Sequence, residues 1–266
     1  MLKRLIATNQ RGAAVPHIAR RCTLLCLLVA TASLTSAYAT ADDDTARKLV
    51  ETADRVRFPA EGFQVEINIT SRAPNQADEL HKYRVLSKGN DNTIVMTVEP
   101  AADRGQVLLM KARDLWLFMP AVSQPVRLSV AQRMTGEVSY GDLARANFSG
   151  DYTPKLLRTE KIDGEEYQVL ELTAVDRGVA YSRVLYWIRS SNGYPYRAEF
   201  YSLSNRLLKT CRYEGFKQLA GHIRPTRLVM EDALKQGEVS VLEYDAMKLR
   251  DLPDYVFTKE YLKKLD

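Results

Sequence analysis

The sequence predicts a mainly β protein with few helices (α+β), built as one large curved antiparallel sheet with short helices over it. Three observations carry that prediction. Apolar and polar residues alternate strictly in FQVEINIT, which puts Phe63, Val65, Ile67 and Ile69 on one side of an extended chain. About a dozen alternating or two-faced runs follow it at close spacing. Their separators are turn residues: Gly89-Asn90-Asp91-Asn92, Asp163-Gly164, Asn192-Gly193, Ser204-Asn205, Gly221 and Gln236-Gly237. Links this short demand antiparallel neighbours.

Taken in order, Asp44 or Thr45 is placed to cap a first helix. Ala46, Leu49, Val50, Ala53 and Val56 recur in it at helical spacing, and Pro59 and Gly62 close it. After the alternating strand come LHKYRVLSK, NTIVMTVE, QVLLMK, DLWLFM and PVRLS. Between Ser129 and Tyr152 the rhythm breaks. VAQRMTG and YGDLARANF hold too few β-branched residues for strands and predict two short helices, stopped by Gly136 and Gly150. Strand runs resume with KLLRTEKI, YQVLELTAV, SRVLYWIRS, PYRAEFYSL, RLLKTCRYEGF, IRPTRLVMED and EVSVLEYDAMKL. Thr258 caps a last short helix, EYLKKL, with Tyr261, Leu262 and Leu265 on one side.

Residues 1–39 read as a cleavable signal peptide. An Arg20-Arg21 pair precedes the apolar run CTLLCLLVA, and small residues ending Ala37-Tyr38-Ala39 set the cut after Ala39. The apolar run is far shorter than the roughly 20 residues a membrane-spanning helix needs. Residues 40–266 then form a single domain. The leader's five cations account for the net charge of +5: without them 38 Lys and Arg fall to 33, equal to the 33 acids. A chain without charge excess has no electrostatic basis for binding nucleic acid. Cys211 is the only thiol beyond the leader, so no internal disulfide forms.

Catalytic patterns are missing from the sequence. His81 and His222 have no second histidine at ligand spacing, which indicates no metal site. No G-x-S-x-G, phosphate-binding glycine loop or dinucleotide fingerprint occurs. Asp142, Asp151, Glu165, Glu166, Glu231 and Asp232 fall in turns or at strand ends and read as solvated carboxylates. The expectation is a protein that is not an enzyme and needs no cofactor.

The stretch QVLLMKARDLWLFM is apolar on both faces of its strands. Something therefore covers the second face: helical pieces, another sheet layer or an apolar ligand. The aromatic content of the exported chain favours a hydrophobic pocket.

Several stretches carry a family likeness: the opening helix leading into Gly62-Phe63, the hairpin DLWLFMPAVSQPVRL with its similarity to a Leu-Trp-x-Tyr-x-Pro strand, and the insert VAQRMTGEVSYGDLARANFSGDY. YPYRAEFYSLSNRLLKTCRYEGF, IRPTRLVMED and LPDYVFTKEYLKKL continue it to the end of the chain. In these the chain resembles the LolA-like group of periplasmic lipoprotein-sorting and lipid-carrier proteins. The resemblance implies an incomplete, open β-barrel covered by short helices, with an apolar cavity between, in a monomer located in the periplasm. It also implies a carrier that shields acyl chains of lipids or lipoproteins between an inner-membrane exporter and an outer-membrane acceptor. The alternative is a sensor or adaptor of the same fold that binds an envelope protein partner such as a transporter. Under the carrier reading the cavity residues are Phe63, Val65, Ile67 and Ile69 on one strand, Trp116 and Phe118 on another, and Met134, Leu143 and Phe148 from the covering helices. A shift of one residue turns Leu115, Leu117 and Met119 inward instead.

Overall fold

The computed structural model describes residues 43–89, 91–145 and 147–262. The leader, its cleavage site and Leu265 lie outside them. Helix α1 spans 43–57 and buries Ala46, Val50 and Ala53, one stripe of a 3.6-residue repeat. Asp44 and Thr45 sit within this helix rather than capping it, since residue 43 is already helical.

From Phe63 the chain meanders through β1 (Phe63–Arg72), β2 (Glu79–Lys88), β3 (Asn92–Glu99), β4 (Val107–Lys111), β5 (Asp114–Met119) and β6 (Val122–Leu128). Each pairs antiparallel with the next. The interruption follows. Its first half is not the expected helix but a hairpin, β7 (Arg133–Thr135) and β8 (Val138–Ser139), with Gly136 at the turn in the left-handed region, φ +48°. Tertiary contacts decide this: the Glu137 N–H donates to Ser240 Oγ at 2.9 Å, and Ser71 Oγ lies 3.0 Å from the same hydroxyl. A side chain on Gly136 would collide with both serines. The second half, expected as one helix stopped by Gly150, is helical but divided into α2 (Tyr140–Ala144) and α3 (Phe148–Asp151), and Gly150 lies inside α3 rather than ending it. Ser139 and Asp142 make a reciprocal capping box on α2.

A second meander runs through β9 (Tyr152–Ile162), β10 (Glu165–Ala174), β11 (Arg183–Arg189), β12 (Pro195–Tyr201) and β13 (Leu207–Glu214). Pro225, lacking an N–H, divides the run IRPTRLVMED into β15 and β16. The pieces are a side hairpin, β14 (Lys217–Leu219) with β15 (His222–Arg224), and then β16 (Arg227–Asp232) and β17 (Val239–Leu249). Because β17 pairs with β1 and β16 pairs with both β17 and β13, the two meanders fuse into one thirteen-stranded sheet. Its order is β6-β5-β4-β3-β2-β1-β17-β16-β13-β12-β11-β10-β9. The sheet is not closed into a barrel: β6 and β9 are its free edges. It is nevertheless curled, since Arg113 in the β4–β5 turn reaches Asp151 just before β9 at 3.2 Å.

Both faces of the 107–119 strands are covered by the chain itself, the outer one only in part. On the inner face Leu108, Met110, Leu115 and Leu117 join the main core with α1, α2 and α3. On the outer face Ile94, Val107, Leu109, Trp116 and Phe118 meet Leu252, Val256, Phe257 and Leu262 of the C-terminal segment. That segment is a 3-10 turn (Asp254–Phe257) followed by α4 (Lys259–Leu262), and Thr258 Oγ1 accepts the Tyr261 N–H at 3.2 Å as the sequence leads one to expect.

Candidate ligand-binding face

The inner face is apolar along its centre and polar where the 129–151 insert is fastened. On β1, next to the central strand β17, Phe63, Val65, Ile67 and Ile69 are all buried and belong to the main core. From the insert, Leu143 and Phe148 are buried in the same core, and Met134 packs against it. These seven of the nine sequence-derived residues share one face. Trp116 and Phe118 do not. The register places them on the outer face, where the Lys259 ammonium stands 4.4 Å from the Trp116 ring, and their neighbours Leu115 and Leu117 point inward instead. The parity of a two-faced apolar strand is not written in the strand.

Phe148 is the centre of an aromatic cluster. Its ring meets Tyr186 at 5.3 Å, Tyr152 at 5.6 Å and Phe200 at 6.4 Å. The cavity beside it measures about 30 Å³, room for roughly two waters. The wide apolar cavity expected from the sequence is thus filled here by the insert and its aromatic partners. A larger cleft, about 550 Å³, lies elsewhere, between Met96, Val107, Phe118, Met119, Val122 and Leu262.

Four polar fastenings hold the insert down. Lys209 on β13 pairs with Asp142 on α2 and donates to the Glu137 carbonyl at 2.7 Å. Tyr181 adds its hydroxyl to Asp142 at 3.0 Å. Arg145 forks onto Asp151 and also reaches Asp91 at 2.8 Å and the Ala112 carbonyl at 2.6 Å. Asp54 of α1 accepts the Ser149 N–H at 2.7 Å, and Arg133 links Glu137 to Asp232.

Asp142, Asp151 and Asp232 are therefore buried, not solvated as their turn positions imply. Lys209 and Arg133 reach Asp142 and Asp232 from distant sequence, which spacing does not reveal, whereas Asp151 takes Arg145 from six residues away as well as the distant Arg113. Burial drives the Asp54 carboxyl upward against the opposing pull of Arg57 and the Ser149 hydrogen bonds. It also pushes the Cys211 thiol up to about 12, leaving it a packed, unreactive group. Arg57 and Lys209 escape sequence reasoning, although a signal exists. Arg57 continues the 46-50-53 stripe of α1, and Lys209 shares strand parity with buried Cys211 and Tyr213.

No helix among the described residues is long and apolar enough to cross a membrane. A family model described as an uncharacterized protein matches residues 89–264. No curated protein matches. Among solved structures, the chain is 62% identical to a LolA superfamily protein from Nitrosomonas europaea, with a TM-score of 0.79 and coverage of 81% of this chain and 98% of that one. Two further structures share the fold at lower identity. A DUF1329 family protein from Desulfovibrio piger gives 22% identity, TM-score 0.72 and coverage of 83% and 99%. A Vibrio parahaemolyticus domain named for outer membrane lipoprotein sorting gives 20%, 0.71, and coverage of 83% and 99%. With nearly the whole of a 62% identical relative spanned at a TM-score of 0.79, this chain belongs to the LolA superfamily.

Proposed function

We propose that the protein is a periplasmic carrier that shields the acyl chains of lipids or lipoproteins on its inner face during transfer between the inner and outer membranes. The observation that carries the reading is the way the inner face is closed. Phe63, Val65, Ile67 and Ile69 share one apolar core with Leu143 and Phe148 of an insert that is fastened to the sheet by ion pairs. Apolar-on-apolar contact is exchangeable for contact with an acyl chain at similar free energy, since both remove about 25 cal/mol per Å² from water. Hiding each methylene of a cargo chain stabilises it by about 0.8 kcal/mol, so a whole chain in transit is protected by on the order of 10 kcal/mol. The filled interior is then the unloaded form, and loading lifts the insert. Binding and release, with no chemical turnover, are the activity.

The test is native mass spectrometry of protein taken from the periplasm without detergent. Extra mass matching a lipid or acylated protein supports the carrier. Protein recovered with a stable protein partner and no lipid overturns it in favour of the adaptor.

A further inference from the structure

Arg57 is the inner-face charge that the fastenings leave least satisfied. It is 7% exposed and lies on the apolar stripe of α1. Of its five donors, one makes a long 3.3 Å contact to Asp54, and Nε is buried without any partner. Its guanidinium stands 4.3 Å from the Phe148 ring and 5.8 Å from Tyr213. Arg57 lines the 30 Å³ cavity, and the Tyr186 hydroxyl, likewise buried without a partner, belongs to the adjoining aromatic cluster. A buried guanidinium with an unused donor is costly unless an anion completes it. Asp54 is a poor completion, because its second oxygen is taken by Ser149.

We propose that Arg57 is the headgroup receptor of this face: its guanidinium binds the anionic oxygens of an acyl lipid, and the chain takes the place of the Phe148 ring. This rests on the carrier reading and narrows it to anionic amphiphiles. The geometry orders the events. Phe148 covers the guanidinium, and Asp54 holds the neighbouring Ser149, so displacement of α3 frees the cation and opens the apolar face together. The forked guanidinium suits paired oxygens on a carboxylate or phosphate.

The experiment measures binding of oleate, lysophosphatidate, oleyl alcohol and inorganic phosphate to the purified mature protein. Wild type is expected to bind the two anionic lipids roughly ten- to a hundred-fold more tightly than the alcohol, and inorganic phosphate not to compete. Arg57→Met erases that preference while leaving oleyl alcohol affinity within a few-fold. Asp54→Asn keeps an oxygen for Ser149 and removes the competing carboxylate, so it raises oleate affinity, a gain that structural damage does not produce. Equal affinity for oleate and oleyl alcohol in wild type overturns the headgroup role but leaves the carrier intact. Binding of none of the lipids overturns both. Competition by inorganic phosphate overturns the lipid assignment in favour of a free-anion site. The wild-type series needs no variant to fold.

Discussion

Lys209 and Asp142 form an ion pair buried on both sides, 5% and 6% exposed, that ties strand β13 to helix α2 of the insert. Removing one partner leaves the other a buried charge without its counterion. Asp142→Asn is expected to destabilise the fold by about 3 kcal/mol. Replacing both, as Asp142→Asn with Lys209→Met, recovers most of that loss, because no uncompensated charge remains and the amide oxygen still accepts from Ser139 and Tyr181. Urea unfolding of the three variants checks both expectations; a double variant no better than the single one refutes the account.

Phe148 occupies the inner face where cargo is proposed to lie. Phe148→Ala leaves a cavity, costs about 3–5 kcal/mol of stability, and is expected to speed uptake of a fluorescent fatty-acid probe. Stopped-flow measurement of probe binding reads this. Unchanged uptake by a folded variant shows that Phe148 does not gate the face.

Opposite faces give opposite outcomes. Leu143→Asp puts a carboxylate on the inner face and is expected to abolish lipid co-purification. Trp116→Asp breaks the outer cluster with Val256, Phe257 and Leu262 and loosens the C-terminal segment, seen as faster amide exchange over 252–262, with lipid content unchanged. Loss of lipid only in the Trp116 variant would reverse the assignment of faces.

Glu137 supplies a pH dependence. Burial raises its carboxyl to about 7; Arg133 opposes this and Asp232 adds to it. The groups facing it are Arg133, Asp232 and Glu238, with Lys209 on its own carbonyl and Lys235 paired to Glu238. Unfolded, the group titrates near 4.5, so between about 4.5 and 7 the folded chain binds more protons than the unfolded one. Its contribution to stability falls as pH rises through that window and stays low above it. Thermal unfolding at pH 5 and pH 8 should show a smaller drop for Glu137→Gln than for wild type. Equal drops would dismiss the effect.

Much of this was legible in the residues, and the rest was hidden for identifiable reasons. Period-two alternation located β1, and turn residues such as Asp163-Gly164 set the meander, because both are local properties of the chain. VAQRMTG was misread as helix because its hairpin depends on Ser71 and Ser240, far away in sequence. Trp116 was misplaced because an apolar residue on either side makes both parities equally good. The buried carboxylates stayed invisible for the same reason as the hairpin: Lys209 lies 67 residues from Asp142.

The insert begins at one free edge of the sheet, after β6, and ends at the other, before β9. It is a strap buckled at both ends, not a flap with one hinge. Lifting it requires slack, and slack comes from drawing its two anchorage points together or from unbuckling Arg145 and Asp142. While Arg145 and Asp142 stay buckled, the gap width and the insert's height are therefore a single coordinate, and under the proposed carrier role a force on either margin of the sheet would act on the covered face from a distance.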